Sequence, residues 1–534
     1  MAKSSAKQLE ETGRPAWTVM VYMVADDPAH GELLDQQANR ELDEIIFATL
    51  AGEKEQKEKD QKKVNVAVQL DFRNRPDVWR RVVGKGAWVQ PESAAADPAT
   101  LYGFFDWVAR YCPADRYVLI FWGHSRGPFG LFTDRPFSSP MGGPFAREDP
   151  QTYIAQTLTL KELRVALRTA RECLNQKVNI IAFKDCFMST LETAYELEDS
   201  ADYIIASPDI VPIEGWPYRE IFTGLGMNRE PEAAARVMVG ALHQHYSRDK
   251  NKHGRPEVPF SLLDTSKLTN VSEPLRVLAA TLAPVTGNNG VTIRNAVPGA
   301  KRADAALLDV RSLCRRLKDK GNEDLTKAAK KLEAAVGSLV LSQTAPRRRT
   351  ASKKRAKQPE DGSGNREFGG VSVFCYPFVE DQQKKSLIAR LATRNVYTGL
   401  AIAKTEWDRV ATREMPEDPV GPAAYHKAAY APDDPNGIPG AFLPRVLEQL
   451  QQGILEEIAR RGAGFVKDLG FVKDLGFVKD LGFVKDLGFA SELRFASELA
   501  PGLVSELMEE CRLAARAGSV SPKARSNKAG RKRR

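Results

Sequence analysis

The first 250 residues alternate between two kinds of segment, and this alternation constrains the fold more than any other feature. Short apolar runs rich in β-branched residues lie at 17–25 (WTVMVYMVA), 64–72 (VNVAVQLDF), 117–122 (YVLIFW), 178–183 (VNIIAF) and 202–206 (DYIIA). Between them apolar residues recur at helical spacing. Leu34, Ala38, Leu42, Ile45, Ile46 and Leu50 mark a helix over 33–50, and further helices are expected over 100–111, 158–173 and 189–199. Strands separated by helices imply right-handed crossovers, and hence an α/β fold with a mostly parallel central sheet and helices on both faces. Residues 78–83 (VWRRVV) look like an added hairpin strand, and the Gly/Pro-rich stretch 126–151 has no regular period.

The second half is less regular. Helices are expected over 232–247 and near 272–284, 304–318 and 324–342, with strands at 259–264 and 369–375. The charged run 53–63 suits a solvated helix end or loop, and the basic segment 343–367 suits a disordered insertion. Residues 464–499 hold six hexapeptides, GFVKDL four times and then GFASEL and RFASEL. A six-residue period gives no stable stripe on a helix. The repeats read either as a tandem expansion in a tolerant surface segment or as a self-association or docking element.

Composition narrows the function classes. No uncharged apolar run reaches the length of a membrane helix, so no membrane span is expected. The N-terminal residues lack an apolar signal core, and the six cysteines form no CxxC pair. A cytoplasmic location is expected, without a disulfide scaffold or a cysteine-rich zinc site. Lys plus Arg exceed Asp plus Glu, 78 against 69, but residues 347–357 and 521–534 each hold seven basic residues and no acidic one. The basic excess therefore belongs to one linker and one tail. That tail suits non-specific contact with nucleic acid, and the rest of the chain is not built as a nucleic-acid surface.

In a parallel α/β sheet, ligands bind beyond the carboxyl ends of the strands. Those ends carry Asp26 and Asp27, Asp71, Trp122-Gly123-His124, Phe183-Lys184-Asp185-Cys186 and Ser207-Pro208-Asp209. A histidine and a cysteine thus follow two consecutive strands. If these strands are neighbours, an imidazole beside a thiol lowers the thiol pKa and relays its proton. A helix starting near Ser189 would add its positive end at Cys186.

The blocks WTVMVYMVADD, YVLIFWGHSRG, NIIAFKDCFMSTLETAYEL and ADYIIASPDIVPIEGWPY, with the later ALLDVRSLCRRL and GGVSVFCYPF, resemble the clostripain-like cysteine peptidases over roughly residues 17–400. The resemblance implies a caspase-like sandwich and a cysteine endopeptidase acting on proteins or peptides. Its catalytic pair falls on His124 and Cys186, with backbone amides of Ser125 and Cys186 as oxyanion donors. Two positions depart from the family pattern: Ser125 replaces a glycine, and Lys184 replaces a pocket acid that favours basic P1 side chains. A second pocket acid matches Glu214. Lys184 then either pairs with Glu214 or points away, with Asp185 compensating and Asp209 assisting. Cleavage after Arg or Lys is expected.

The resemblance also implies a zymogen cut in a loop, by itself or by an upstream protease. Arg135 and Arg147 in the Gly/Pro-rich stretch and Arg349 in the basic linker are the candidate sites. An intracellular stress or defence cascade is the expected setting. Some family members respond to calcium, but no acidic loop here has calcium-ligand spacing, so no cofactor is expected. The chain then divides into a leader (1–16), a core with His and Cys (17–250), a second half of the peptidase domain interrupted at 343–367 (251–412), and a C-terminal extension (413–534). The competing class is a catalytically inactive homologue that acts as a binding or scaffold protein.

Overall fold

A computed structural model of the chain describes residues 14–26, 32–59, 64–73, 77–91, 95–133, 157–213, 215–248, 258–282, 302–304, 306–318, 323–343, 369–376, 394–413 and 415. Five strands form a parallel centre: β1 (Trp17–Val24), β2 (Val64–Asp71), β5 (Arg116–Trp122), β8 (Val178–Lys184) and β9 (Ala201–Ala206). The hairpin of β3 (Asp77–Val82) and β4 (Gly86–Pro91) extends one side by antiparallel pairing. On the other side β10 (Ser261–Asp264) and β13 (Val340–Gln343) do the same. The order across this sheet is β13-β10-β9-β8-β5-β1-β2-β3-β4.

Each central strand feeds two cores, because successive side chains point to opposite faces. Met20, Tyr22, Val24, Leu119 and Phe121 join one core, and Val19, Val21, Met23, Val118 and Ile120 the other. Helices α2 (Pro98–Tyr111) and α3 (Leu160–Leu174), with α7 (Leu268–Leu282), α8 (Val310–Lys318) and α9 (Glu323–Leu339), cover the first face. Helices α1 (Glu32–Lys59), α5 (Tyr218–Met227) and α6 (Pro231–Arg248) cover the second. The helix starts follow local capping chemistry. Asp97 accepts from the Ala99 amide ahead of Pro98, and Thr159 and Glu162 form a reciprocal capping box.

The α/β class with a mostly parallel sheet is as expected; several elements are not. Strand β4 and helix α5 were not foreseen, and neither were the short strands β6 (Leu131–Thr133), inside the Gly/Pro-rich stretch, and β7 (Thr157–Leu158), just beyond it. The expected helix 304–318 begins only at Val310, where Asp309 Oδ1 accepts from the Ser312 amide at 2.8 Å. Before it lie β11 (Arg302–Asp304) and β12 (Leu307–Asp309). With β14 (Ser372–Phe374) they form a separate three-stranded sheet, so the 369–375 strand does not extend the central one. The helix expected to run to 342 stops at Leu339, because Val340–Gln343 pairs with β10 at the sheet edge. The hexapeptide repeats, most of the basic linker and the basic tail lie outside the described residues. Among the described residues no helix is long and apolar enough to cross a membrane.

The short helix α4 (Leu191–Glu196) follows the candidate cysteine and ties the two sheets together. Its Glu192 is fully buried, and Oε1 accepts from the Phe374 amide at 2.9 Å and the Tyr397 hydroxyl at 2.6 Å. Burial pushes this carboxyl up from 4.5 to about 6, against the lowering effect of those two hydrogen bonds. The folded chain therefore holds a proton there that the unfolded chain releases. Its contribution is complete below pH 4.5 and is lost as pH rises through 6, a change of about 2 kcal/mol. Gln at this position keeps the acceptor without the charge. Glu192→Gln should flatten that part of the stability-versus-pH curve while preserving the fold, as measured by urea unfolding at several pH values; an unchanged slope would remove Glu192 as its source.

Candidate active site

Parallel pairing of β5 with β8 runs in register from Val118–Ile180 to Trp122–Lys184. His124 lies two residues beyond Trp122 and Cys186 two residues beyond Lys184, so the two leave neighbouring strands, about 4.8 Å apart, at the same height. Both residues are half-buried. The segment carrying His124 folds back on itself, with the His124 carbonyl accepting from the Phe132 amide at 2.7 Å and Ser125 bridged to Leu131. Two glycines permit this. A methyl on Gly123 would lie 2.8 Å from the Phe132 ring, and Gly130 has φ 108° with the Leu158 carbonyl only 2.5 Å from where its Cβ would stand. Ser125 is buried, and its hydroxyl donates to the Cys186 carbonyl, joining the two segments directly.

The sulphur of Cys186 is held by the loop that follows β9. The Val211 amide donates to Sγ at 3.3 Å, and Sγ lies 3.8 Å from the Val211 carbonyl. Two backbone bonds secure the same loop: the Phe187 amide to the Asp209 carbonyl at 3.2 Å and the Ser189 amide to the Ser207 carbonyl at 3.0 Å. Phe187 takes a left-handed conformation, φ 60°, so the chain turns sharply just after the cysteine. Burial pushes the Cys186 thiol up to about 11, partly countered by the Val211 amide. Asp185 and Asp209 push it further up and Arg126 acts against them. The helix expected near Ser189 is α4, which begins at Leu191 with Thr190 as its N-cap and is six residues long.

Lys184 has partners that the sequence did not suggest. Its Nζ lies 2.7 Å from Glu41 Oε1 in α1, donates to the Ile213 carbonyl at 2.8 Å, and sits 5.2 Å from the centre of the Trp122 ring. Glu41 Oε2 accepts from the Tyr218 hydroxyl at 2.5 Å. Asp185 does not line an open pocket: it is fully buried, and burial raises its pKa well above the ordinary carboxylate range despite Lys184 beside it. Asp209 is half-buried, and its Oδ1 accepts from the Ile210 amide at 2.8 Å. Glu214, Arg135, Arg147 and Arg349 lie outside the described residues. Sequence reasoning missed Glu41, Tyr218 and Val211. Glu41 left a signal, since it falls on the apolar stripe of α1 between Ala38 and Ile45. Val211 acts through its backbone and left none. Among the described residues no group of three or more His, Cys, Asp or Glu side chains is arranged to hold a metal ion.

Comparison with known proteins gives a consistent set of relatives. The model of the clostripain family matches residues 21–340. Clostripain of Hathewaya histolytica is 26% identical over 226 residues, a match covering 36% of this chain and 40% of that protein. A secreted C11 cysteine protease of Bacteroides thetaiotaomicron, solved with an irreversible peptide inhibitor, is 19% identical with a TM-score of 0.48, covering 74% of this chain and 99% of that one. An inactive zymogen C11 protease of Parabacteroides distasonis is 18% identical with a TM-score of 0.48, covering 74% and 98%.

The thiol environment has a direct consequence. Only the thiolate reacts with alkylating agents, so its abundance governs the rate. With the Cys186 thiol pushed up to about 11, alkylation should climb about tenfold per pH unit from neutrality to beyond pH 9, without an early plateau. Site-resolved mass spectrometry after timed iodoacetamide exposure measures this, and a plateau near neutral pH would show a sulphur that is not enclosed in this way.

Proposed function

The chain belongs to the clostripain family, and on that premise we propose that it is a cysteine endopeptidase in which Cys186 attacks the scissile carbonyl and His124 takes the thiol proton. One observation carries this reading: the β5–β8 register brings a histidine and a cysteine to the same height on adjacent strand ends. A resting neutral thiol suits a mechanism in which the imidazole removes the proton as the carbon–sulphur bond forms. Backbone amides of Ser125 and Cys186 are the candidate donors to the tetrahedral oxyanion. The imidazolium returns its proton to the departing amine, and water then hydrolyses the thioester, releasing the acid and the free thiol.

Arg or Lys is the preferred P1 residue in this reading, with Glu214 and Asp209 supplying the negative charge. Lys184 does not oppose it, because Glu41 already matches the lysine charge. Burial raises the Asp185 pKa well above the ordinary carboxylate range, which makes it a weaker source of negative charge than Asp209. The enzyme is made as a zymogen and activated by cutting at Arg135, Arg147 or Arg349, by itself or by another protease, within a cytoplasmic stress or defence cascade. A second reading, an inactive homologue that binds partners, is favoured by the enclosure of the thiol.

Cys186→Ala and His124→Ala should each lower peptide cleavage by about three orders of magnitude or more while leaving thermal unfolding near that of the wild type. A substrate library should show Arg or Lys at P1, and Glu214→Gln should weaken that preference. Full cleavage by Cys186→Ala would remove the assignment, and acidic or small P1 residues would remove the pocket. Wild type and Cys186→Ala purified in parallel should differ in new termini at Arg135, Arg147 or Arg349; identical fragments would exclude self-processing.

A further inference from the structure

Nothing in the proposed chemistry requires a buried ion pair, yet one stands two residues before Cys186. The Lys184 and Glu41 side chains are 2% and 0% exposed. Burying two charges costs several kcal/mol of hydration per ion, and replacing such a pair by apolar residues is often neutral or stabilising. Stability is therefore a weak reason for this one, and its contacts suggest another. Lys184 Nζ reaches past Glu41 to the Ile213 carbonyl, and Tyr218 holds the other Glu41 oxygen. Ile213 belongs to the same loop as Val211, whose amide and carbonyl flank the Cys186 sulphur. Helix α1 meets this loop a second time, because a methyl on Gly215 would overlap the Glu44 carboxylate.

We propose that Glu41 and Lys184 form a latch that holds the 207–213 loop against Cys186 and so controls access to its sulphur. Glu41 is a positioning residue: it touches neither the sulphur nor a substrate, and it acts through Lys184, the Ile213 carbonyl and Val211. The loop exerts two opposed influences on the thiol. It encloses the sulphur, which favours the neutral form, and it offers the Val211 amide, which favours the thiolate; enclosure is the larger. Asp185 and Asp209 raise the thiol pKa and Arg126 lowers it; Asp209 belongs to the held loop, whereas Asp185 and Arg126 lie outside it. Releasing the latch thus has a defined direction: the sulphur becomes more accessible and more readily ionised. For catalysis this inference rests on Cys186 being the nucleophile, but the state of the loop can be read without any peptidase activity.

The test is site-resolved iodoacetamide labelling of the full chain at about pH 8, for the wild type, Glu41→Gln and the double variant Glu41→Leu/Lys184→Met. The double variant replaces the pair by apolar side chains of similar volume, so a purely structural role would be largely restored by it. Cys112 and Cys314, both fully buried in the core, report loss of the fold. The expected result is Cys186 labelling about tenfold faster in both variants, with a lower pH midpoint, while Cys112 and Cys314 stay silent. Labelling of Cys186 within about twofold of the wild type in a variant that keeps Cys112 and Cys314 silent would overturn the latch. Labelling of all three cysteines together in both variants would overturn it too, because the pair would then be needed for the whole fold. Absence of peptide cleavage by the wild type bears on the proposed function and leaves this result readable.

Discussion

Parallel pairing of β1, β5 and β8 is the constraint on which the rest of the molecule depends. Helices cover both faces of these strands, so their side chains are predominantly apolar and their backbone groups pair within the sheet. Such strands have no room for reactive groups along their length. Polar residues collect where the pairing ends, and because the strands are parallel, those ends lie along one edge. His124, Ser125, Lys184, Asp185 and Cys186 all follow the last paired residues of β5 or belong to the last turn of chain leaving β8.

At that edge the molecule buries charge and bends the backbone against its preference. Lys184, Glu41 and Asp185 are buried, and Phe187 is left-handed. Each costs free energy taken alone, from about 1 kcal/mol for the left-handed residue to several for each buried ion. The surrounding contacts determine these states. The Phe187 amide is tied to Asp209, the Ser125 hydroxyl to Cys186, and Lys184 to Glu41 and Ile213. Strain and buried charge maintained by many partners are what a preorganised site requires, since loose groups lose the geometry that chemistry needs.

The residues after Cys186 carry this rigidity across the molecule. The Ser189 carbonyl accepts from the Ser372 amide and its hydroxyl donates to the Gly370 carbonyl, while Glu192 and Glu196 hold Phe374, Tyr397 and Ala401. These contacts join residues 181 to 205 positions apart. Buried carboxylates that accept hydrogen bonds need a closed surround, and the second sheet and the 394–412 segment supply it. The helix after the cysteine is therefore a strut between two sheets.

Much of this was legible in the sequence because it depends on local pattern. Apolar runs and helical periods marked the five parallel strands, and a histidine and a cysteine after two consecutive runs marked the candidate site. Elements with weak local signals were not legible. Strand β4 and the pair β6 and β7 have no strong period, and β13 continues a helical stretch until its pairing with β10 redirects it. The partner of Lys184 was missed for a related reason. An ion pair between residues on separate elements is chosen by packing, and Glu41 lies on a helix distant in sequence. The sequence by itself determined the class of fold and the residue types at the strand ends, because burial on two faces requires apolar runs and leaves polar residues at their ends. Tertiary structure alone decided that Glu41 pairs with Lys184, that Asp185 is enclosed with its pKa raised, and that Val211 flanks the sulphur. Desolvation and backbone contacts depend on which elements meet, and no local pattern records that.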